Sequence, residues 1–166
     1  AISNSFTTRH AIEASGGTEV VKYLLSGSID HQTGVFPRTQ QDVFNVRSST
    51  DINLSKKLKL GADFRYQLRD LDELPNMGDM YKQLLFADPT MVAYYTDGSY
   101  GYNSGFFPNP LVSIYEGGQS YTKRHELSGR FKLEYEIIDG LKFTGIANVN
   151  YTFKNNEKQT RKLQYK

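Results

Sequence analysis

Glu126 to Lys154 reads ELSGRFKLEYEIIDGLKFTGIANVNYTFK, and its side chains alternate in kind along the whole stretch. Leu127, Gly129, Phe131, Leu133, Tyr135 and Ile137 alternate with Glu126, Ser128, Arg130, Lys132, Glu134 and Glu136. Asp139-Gly140 then supplies a tight turn. Beyond it Leu141, Phe143, Gly145, Ala147, Val149, Tyr151 and Phe153 alternate with Lys142, Thr144, Ile146, Asn148, Asn150, Thr152 and Lys154, Ile146 being the one clear break. Successive side chains on a strand point to opposite faces, so the spacing predicts a hairpin with one apolar and one polar face. Each arm exceeds ten residues. Strands of ordinary globular sheets run about 5–6 residues, whereas tilted strands that cross a bilayer need about 9–11.

The same pattern recurs upstream. Phe6, Thr8, His10, Ile12 and Ala14 share a face, the turn Gly16-Gly17-Thr18 follows, and Val21, Tyr23, Leu25, Gly27 and Ile29 return. After a polar link, His31 to Gln41, a third strand carries Phe44, Val46, Ser48, Thr50, Ile52 and Leu54 on one side. Past a turn at Ser55-Lys56, Leu58, Leu60, Ala62, Phe64, Tyr66 and Leu68 oppose Lys57, Lys59, Asp63, Arg65, Gln67 and Arg69. Charged residues are absent from the apolar positions between Leu58 and Leu68, Leu127 and Ile137, and Leu141 and Phe153, with His10 the nearest exception. Tyr23, Tyr66, Tyr135, Phe143 and Phe153 sit near strand ends on that face, as interfacial aromatic girdles do.

Between the second and third hairpins lies an insertion, 70–121. Within it Met77, Met80, Tyr81, Leu84 and Leu85 are spaced for one face of a short helix near 76–87, ended by Asp88-Pro89. The rest, Tyr94 to Tyr121, is rich in Tyr, Gly and Asn and reads as a loop without regular structure. The expected fold class is all-β: an antiparallel transmembrane β-barrel segment of about six long strands in three hairpins, with one long extracellular loop containing a short helix. Residues 1–69 hold four strands in two hairpins, 122–155 a third hairpin, and 156–166 the start of a further extracellular loop. Short internal turns and long links match outer-membrane barrels, whose short turns are periplasmic. That places the turns near Gly16, Ser55 and Gly140 inside and 70–121 outside. Six strands fall short of the roughly eight that close a membrane barrel.

Composition narrows the field. A net charge of +2 argues against nucleic acid as a partner, and the absence of Cys removes disulfides and thiolate metal sites. No apolar run is long enough for a transmembrane helix. A negative mean hydropathy is compatible with a barrel, because half of each strand faces a polar interior. The opening Ala1-Ile2-Ser3 and the polar end, Asn155 to Lys166, read as cuts within a larger chain.

Several stretches resemble the SusC/RagA family of TonB-dependent outer-membrane transporters. Ile12 to Glu19, Lys22-Tyr23 and Asp30 to Val35 are similar to the family's SGGTEKTKYYVSLGYLDQEGI hairpin. Phe44-Asn45-Val46-Arg47 and Leu58-Lys59-Leu60-Gly61 resemble its next strand pair, and Asp97-Gly98-Ser99-Tyr100 with Asn109-Pro110-Leu111 its DGSY…NPL pattern. Ile137 to Phe143 matches the strand–turn–strand that follows. The order is colinear over nearly the whole chain. The resemblance implies a middle piece of a large plugged barrel that imports oligosaccharides or peptides, works with a SusD-like surface lipoprotein, is driven by the TonB complex, and sits in outer-membrane lipid of a Bacteroidetes-like cell.

Tyr94, Tyr95, Tyr100, Tyr102, Phe106 and Phe107, with Tyr115, offer rings that could stack on sugar or clamp peptide. The other reading has them pack the loop onto the barrel mouth or the lipoprotein. Asp97 and Asn109 stand among them as polar contacts or as turn formers. On the polar face Arg47, Lys59, Asp63, Arg65, Arg69, Arg130, Lys132 and Glu134 read as a salt-bridged wall or as contacts to cargo or plug. His10, His31 and His125 lack metal-ligand spacing, no nucleophile elbow or phosphate loop occurs, and no catalytic residue, metal or cofactor is expected. A stand-alone glycan-binding surface β module, or a barrel with a purely structural role, would show the same alternation. These readings part on the apolar faces, which a soluble module must bury and a membrane wall leaves bare.

Overall fold

The computed structural model describes residues 4–101 and 109–161. Six strands form one antiparallel sheet in sequence order: β1 (Thr7–Gly17), β2 (Val21–Thr33), β3 (Gln40–Asn53), β4 (Leu58–Glu73), β5 (Gly118–Ile138) and β6 (Leu141–Thr160). Two helices, α1 (Met77–Leu85) and α2 (Pro110–Glu116), lie between β4 and β5. The sheet is open, with β1 and β6 as its edges. Among the described residues no helix is long and apolar enough to cross a membrane.

The register carries the alternation across all six strands. Ala14, Leu25, Ser48, Phe64, Gly129 and Val149 form one transverse row, and Ile12, Gly27, Val46, Tyr66, Leu127 and Tyr151 the next. A one-residue slip in any pairing would turn that strand's apolar set to the other side. Short turns hold the register. At Asp139-Gly140 the chain needs a positive φ, and Gly140 supplies it at 86°. Phe64 stacks edge-on against Phe131 with ring centroids 5.2 Å apart. Its ring also covers Gly129 opposite, where a Cβ would stand 3.4 Å away.

Along β4 the apolar rows run from Leu58 to Leu68, and the next row on that face is polar: Thr8, His31, Asp42, Asp70, Lys123 and Asn155. Ten residues at about 3.3 Å each span about 33 Å. At the tilt of about 40° usual in barrels this becomes about 25 Å, the height of the outward apolar band of outer-membrane strands. His10 and His125 mark the band's last row, level with Leu68. There Tyr66 Oη and His125 Nδ1 are hydrogen-bonded at 2.9 Å. Tyr135 and Phe143 close the opposite end, beside Leu58.

The band is bare. Phe64, Phe131, Leu133, Val149 and Tyr151 are all exposed. Among the described residues the buried apolar side chains are Phe36, Val43, Leu74, Met80, Pro110, Val112 and Ile114, and most of these lie at one end of the sheet. Phe36, from the β2–β3 link, meets Leu74, Met80 and Ile114, with Met77 and Leu84 packed around them. This cap is the chain's real core.

Three features differ from the sequence reading. Tyr94–Tyr121 is not devoid of regular structure: α2 occupies Pro110–Glu116 and β5 begins at Gly118. Seven residues are too few to show a helical period, while Asn109 as cap and Pro110 in the first turn favour a helix start. In α1 the stripe is only half buried, since Met80 is 2% exposed but Leu85 is 80% exposed. The β5–β6 pair also extends past 122–155, because a hydrogen-bonded ladder in water needs no apolar residues: Gly118 still pairs with Thr160.

With both edge strands unpaired and the band uncovered, residues 1–166 expressed alone in water are expected to self-associate. Light scattering after size-exclusion chromatography checks this. A monomer that unfolds cooperatively without detergent would overturn it.

Candidate functional site

The cap is stitched to the sheet from several sides. Arg38, held at φ 66° in the β2–β3 link, donates from its guanidinium to the carbonyls of Tyr115 and Gly118, 3.0 Å each. Gln119 Nε2 donates back to the Arg38 carbonyl at 2.8 Å. Lys158 Nζ on β6 donates to Asn76 Oδ1 at 2.8 Å, just before α1. Ser113 Oγ donates to Gln83 Oε1 at 2.6 Å and joins the two helices.

On this frame stands a small hairpin carrying Tyr94-Tyr95-Thr96-Asp97-Gly98-Ser99-Tyr100. Tyr95 N donates to the Ser99 carbonyl at 2.8 Å and Gly101 N to the Ala93 carbonyl at 3.1 Å. Gly98 turns the chain at φ 81°. Tyr94 and Tyr100 pair across it, ring centroids 5.2 Å apart and 37° between planes. Tyr94 is 49% and Tyr95 44% exposed. The hairpin thus presents two rings outward. Tyr100 is more enclosed and donates to Glu116 Oε1 at 3.4 Å, and burial together with the Glu116 charge pushes its phenol pKa up.

Asn109 holds the hairpin at both ends. Its Nδ2 donates to the carbonyls of Ala93 and Gly101, 3.0 Å each, while its Oδ1 accepts from Leu111 N at 3.0 Å and caps α2. The residue is wholly buried. Asp97 accepts from Ser99 N at 2.9 Å and Ser99 Oγ at 2.6 Å, closing the turn. Of the residues singled out in the loop, Tyr94, Tyr95, Asp97 and Tyr100 therefore share one hairpin, and Asn109 lies beneath it. Tyr102, Phe106 and Phe107 lie outside the described residues. Tyr115, on α2, is 38% exposed.

Asp88 and Asp97 both sit below the ordinary carboxylate value of 3.8, the first through the Thr90 hydroxyl and N–H, the second through those of Ser99. A folded-state pKa below the unfolded one stabilises the turn above the ordinary value, and that stabilisation is lost as pH falls through the lowered one. The Thr90 and Ser99 amides are therefore expected to stay protected from hydrogen exchange at neutral pH and to lose protection below about pH 3.8, the ordinary value. A pH series corrected for intrinsic rates measures this. Unchanged protection in acid would show that the carboxylate charges do not hold the turns.

The opposite face of the sheet is a lattice of polar side chains. Arg47 donates to Asp63 Oδ2 from Nε and a terminal nitrogen, 2.9 and 2.6 Å, while Arg65 Nε reaches Oδ1 at 3.1 Å. Asn45 links Ser28 and Gln67. Glu134 bridges Lys132 and Lys142 at 2.5 and 3.0 Å. Pairs this exposed contribute little to stability, because solvent screens them. Lys59, Arg69 and Arg130 line the same side. Among the described residues no group of three or more His, Asp or Glu comes together as a metal site.

An antiparallel sheet with one bare apolar face, one ionic face and an aromatic cap is the class that these observations define. Among known proteins the chain is similar to TonB-dependent receptor P3 of Formosa agariphila, 27% identical over 139 residues. The match covers 78% of this chain and 14% of that protein. It supports membership of the TonB-dependent receptor family at large. No family model matches the chain.

Proposed function

We propose that this chain is wall and cap of a TonB-dependent outer-membrane importer of the SusC/RagA type. In this reading it takes up oligosaccharides or peptides with a SusD-like surface lipoprotein and is driven through the TonB complex. It is not an enzyme. The observation that carries the reading is the bare apolar band, in register over six strands and about 25 Å tall at barrel tilt. A self-contained module in water would have to cover that face. The colinear SusC/RagA-like motifs and the receptor match support the same conclusion. The turn at Asp139-Gly140 then faces the periplasm and the cap faces outward. Tyr94, Tyr95 and Tyr100 are the proposed cargo-contacting rings, joined by Tyr102, Phe106 and Phe107, with Asp97 and Asn109 shaping the loop that presents them.

The chain has no Cys, so once any cysteine elsewhere in the full-length protein is replaced by Ser, a single introduced cysteine reports topology. In the full-length protein in cells, Ser99→Cys is expected to react with a membrane-impermeant maleimide on intact cells, and Asp139→Cys only after the outer membrane is permeabilised. Val149→Cys is expected to resist the reagent and Asn148→Cys to accept it once the interior is open. Labelling of Asp139→Cys on intact cells, or recovery of the protein in the soluble fraction, would overturn the reading. Co-purification of a surface lipoprotein from detergent extracts tests the partner separately.

A further inference from the structure

Gly61 leaves a gap in the polar face. Its neighbours in the register are Asp51 on β3 and Lys132 on β5. A Cβ there would meet Asp51 Oδ1 at 3.0 Å and Lys132 Cβ at 3.6 Å. The hollow over Gly61 measures about 270 Å³, and Arg47, Arg65, Arg130 and Lys132 line it with Asp51 and Asp63. Four cations thus face two carboxylates. Both oxygens of Asp63 are engaged by Arg47 and Arg65. Lys132 is drawn to Glu134. Arg130 lies directly across the strand pair from Asp63, yet among the described residues it is exposed and has neither ion pair nor hydrogen bond. A guanidinium fork with no acceptor, beside a gap that only a missing side chain creates, matches a carboxylate in shape and charge. The excess of cations over carboxylates around the hollow attracts such a ligand.

We propose that the Gly61 hollow is a subsite for a carboxylate group carried by the solute that crosses the interior, gripped by Arg130 and attracted by the surplus of cations around it. This deepens the importer reading and rests on it, because only there does the polar face line a passage. Arg47, Arg65 and Asp63 hold one another and keep the subsite's edge in place, which leaves Arg130 as the residue that exchanges partners. Gly61 gives the ligand room.

Arginine modification by phenylglyoxal, mapped by peptide mass spectrometry on the full-length protein in detergent, tests this with citrate as the probe against chloride at equal ionic strength. Citrate is expected to slow modification of Arg130 several-fold and to leave Arg9, already paired with Asp30 at 2.6 Å, unchanged. Gly61→Val fills the hollow and suits a strand, and it is expected to abolish protection while Arg130 stays reactive. Lys132→Gln, which removes one attracting charge without filling space, is expected to weaken it. Equal rates in citrate and chloride, or equal protection at Arg9, would overturn the subsite. So would an Arg130 that is unreactive throughout, which would assign it to a carboxylate of the protein's own chain outside these residues. If the cysteine topology stands while protection fails, only the subsite falls. A reversed topology removes the importer reading whatever citrate does.

Discussion

An arginine at Phe64 is expected to leave the full-length protein about 2–4 kcal/mol less stable in a bilayer, the cost of a cation near the midplane of a lipid-facing strand surface. Phe64 sits in the fourth of the six apolar rows that run from Leu58 to Leu68. Its ring contacts Phe131 and covers Gly129, so the substitution also removes an aromatic pair worth about 0.5–1.5 kcal/mol beyond its burial. Depth is the internal control. Tyr135→Arg, in the first row beside Leu58, is expected to cost about 0–1 kcal/mol. Side is the second control: Ser128→Arg, paired with Arg65 on the polar face, is expected to stay within about 0.5 kcal/mol of the parent. Denaturant unfolding in phospholipid vesicles, read by gel mobility of the folded form, measures all three. Equal costs at Phe64 and Ser128 would mean that both faces meet the same solvent.

Asn109→Ala is expected to release the aromatic hairpin from the cap at a cost of about 2–4 kcal/mol. Three hydrogen bonds are lost, each worth about 0.5–1.5 kcal/mol net, and buried groups left without partners add to that. The Ala93 carbonyl keeps Gly101 N as a donor, so the Gly101 carbonyl and Leu111 N–H suffer most. Asn109→Asp separates the two roles, since it keeps an acceptor for Leu111 N but loses both donors to the hairpin. In both variants the Tyr95, Gly98 and Gly101 amides are expected to lose exchange protection while β4 and β5 keep theirs. In Asn109→Asp the Leu111 amide is expected to stay protected. Protection unchanged at Tyr95 and Gly101 in Asn109→Ala would show that Asn109 does not clamp the hairpin.

The sheet was legible because a period of two leaves no choice of face: with Phe64 and Phe131 both on the apolar side, a slip of one residue would turn one whole strand's apolar set away from the other's. The sequence also marked where charge stops, and the polar row through Asp42, Asp70 and Lys123 confirms that limit. The cap was less legible, for a physical reason. Its core joins Phe36, which precedes β3, to Met80 and Ile114, and no local pattern reveals contacts so distant along the chain. The helical stripe of α1 marked Met80 correctly but not Leu85, because a short helix at the edge of a small core buries only part of its apolar side. Asp97 and Asn109 were read both as polar contacts and as turn formers, and their hydrogen bonds here are to the chain itself. What a sequence cannot show is that one amide, Asn109, holds both ends of a hairpin eight and sixteen residues before it.

On the importer reading, the two longest strands set where a ligand is first met. From His125, level with the last apolar row, β5 climbs seven more residues to Gly118 with β6 beside it. That is about 24 Å along the strand, or about 18 Å of height at a tilt near 40°. A headgroup layer is only about 5–8 Å deep on each side of the hydrocarbon. On that reading the β5–β6 pair is a stalk, and the cap tied to its upper end through Gly118, Gln119 and Lys158 stands clear of the lipid surface like a hand held above a crowd, where bulky solutes can be sampled before any of them reaches the wall below.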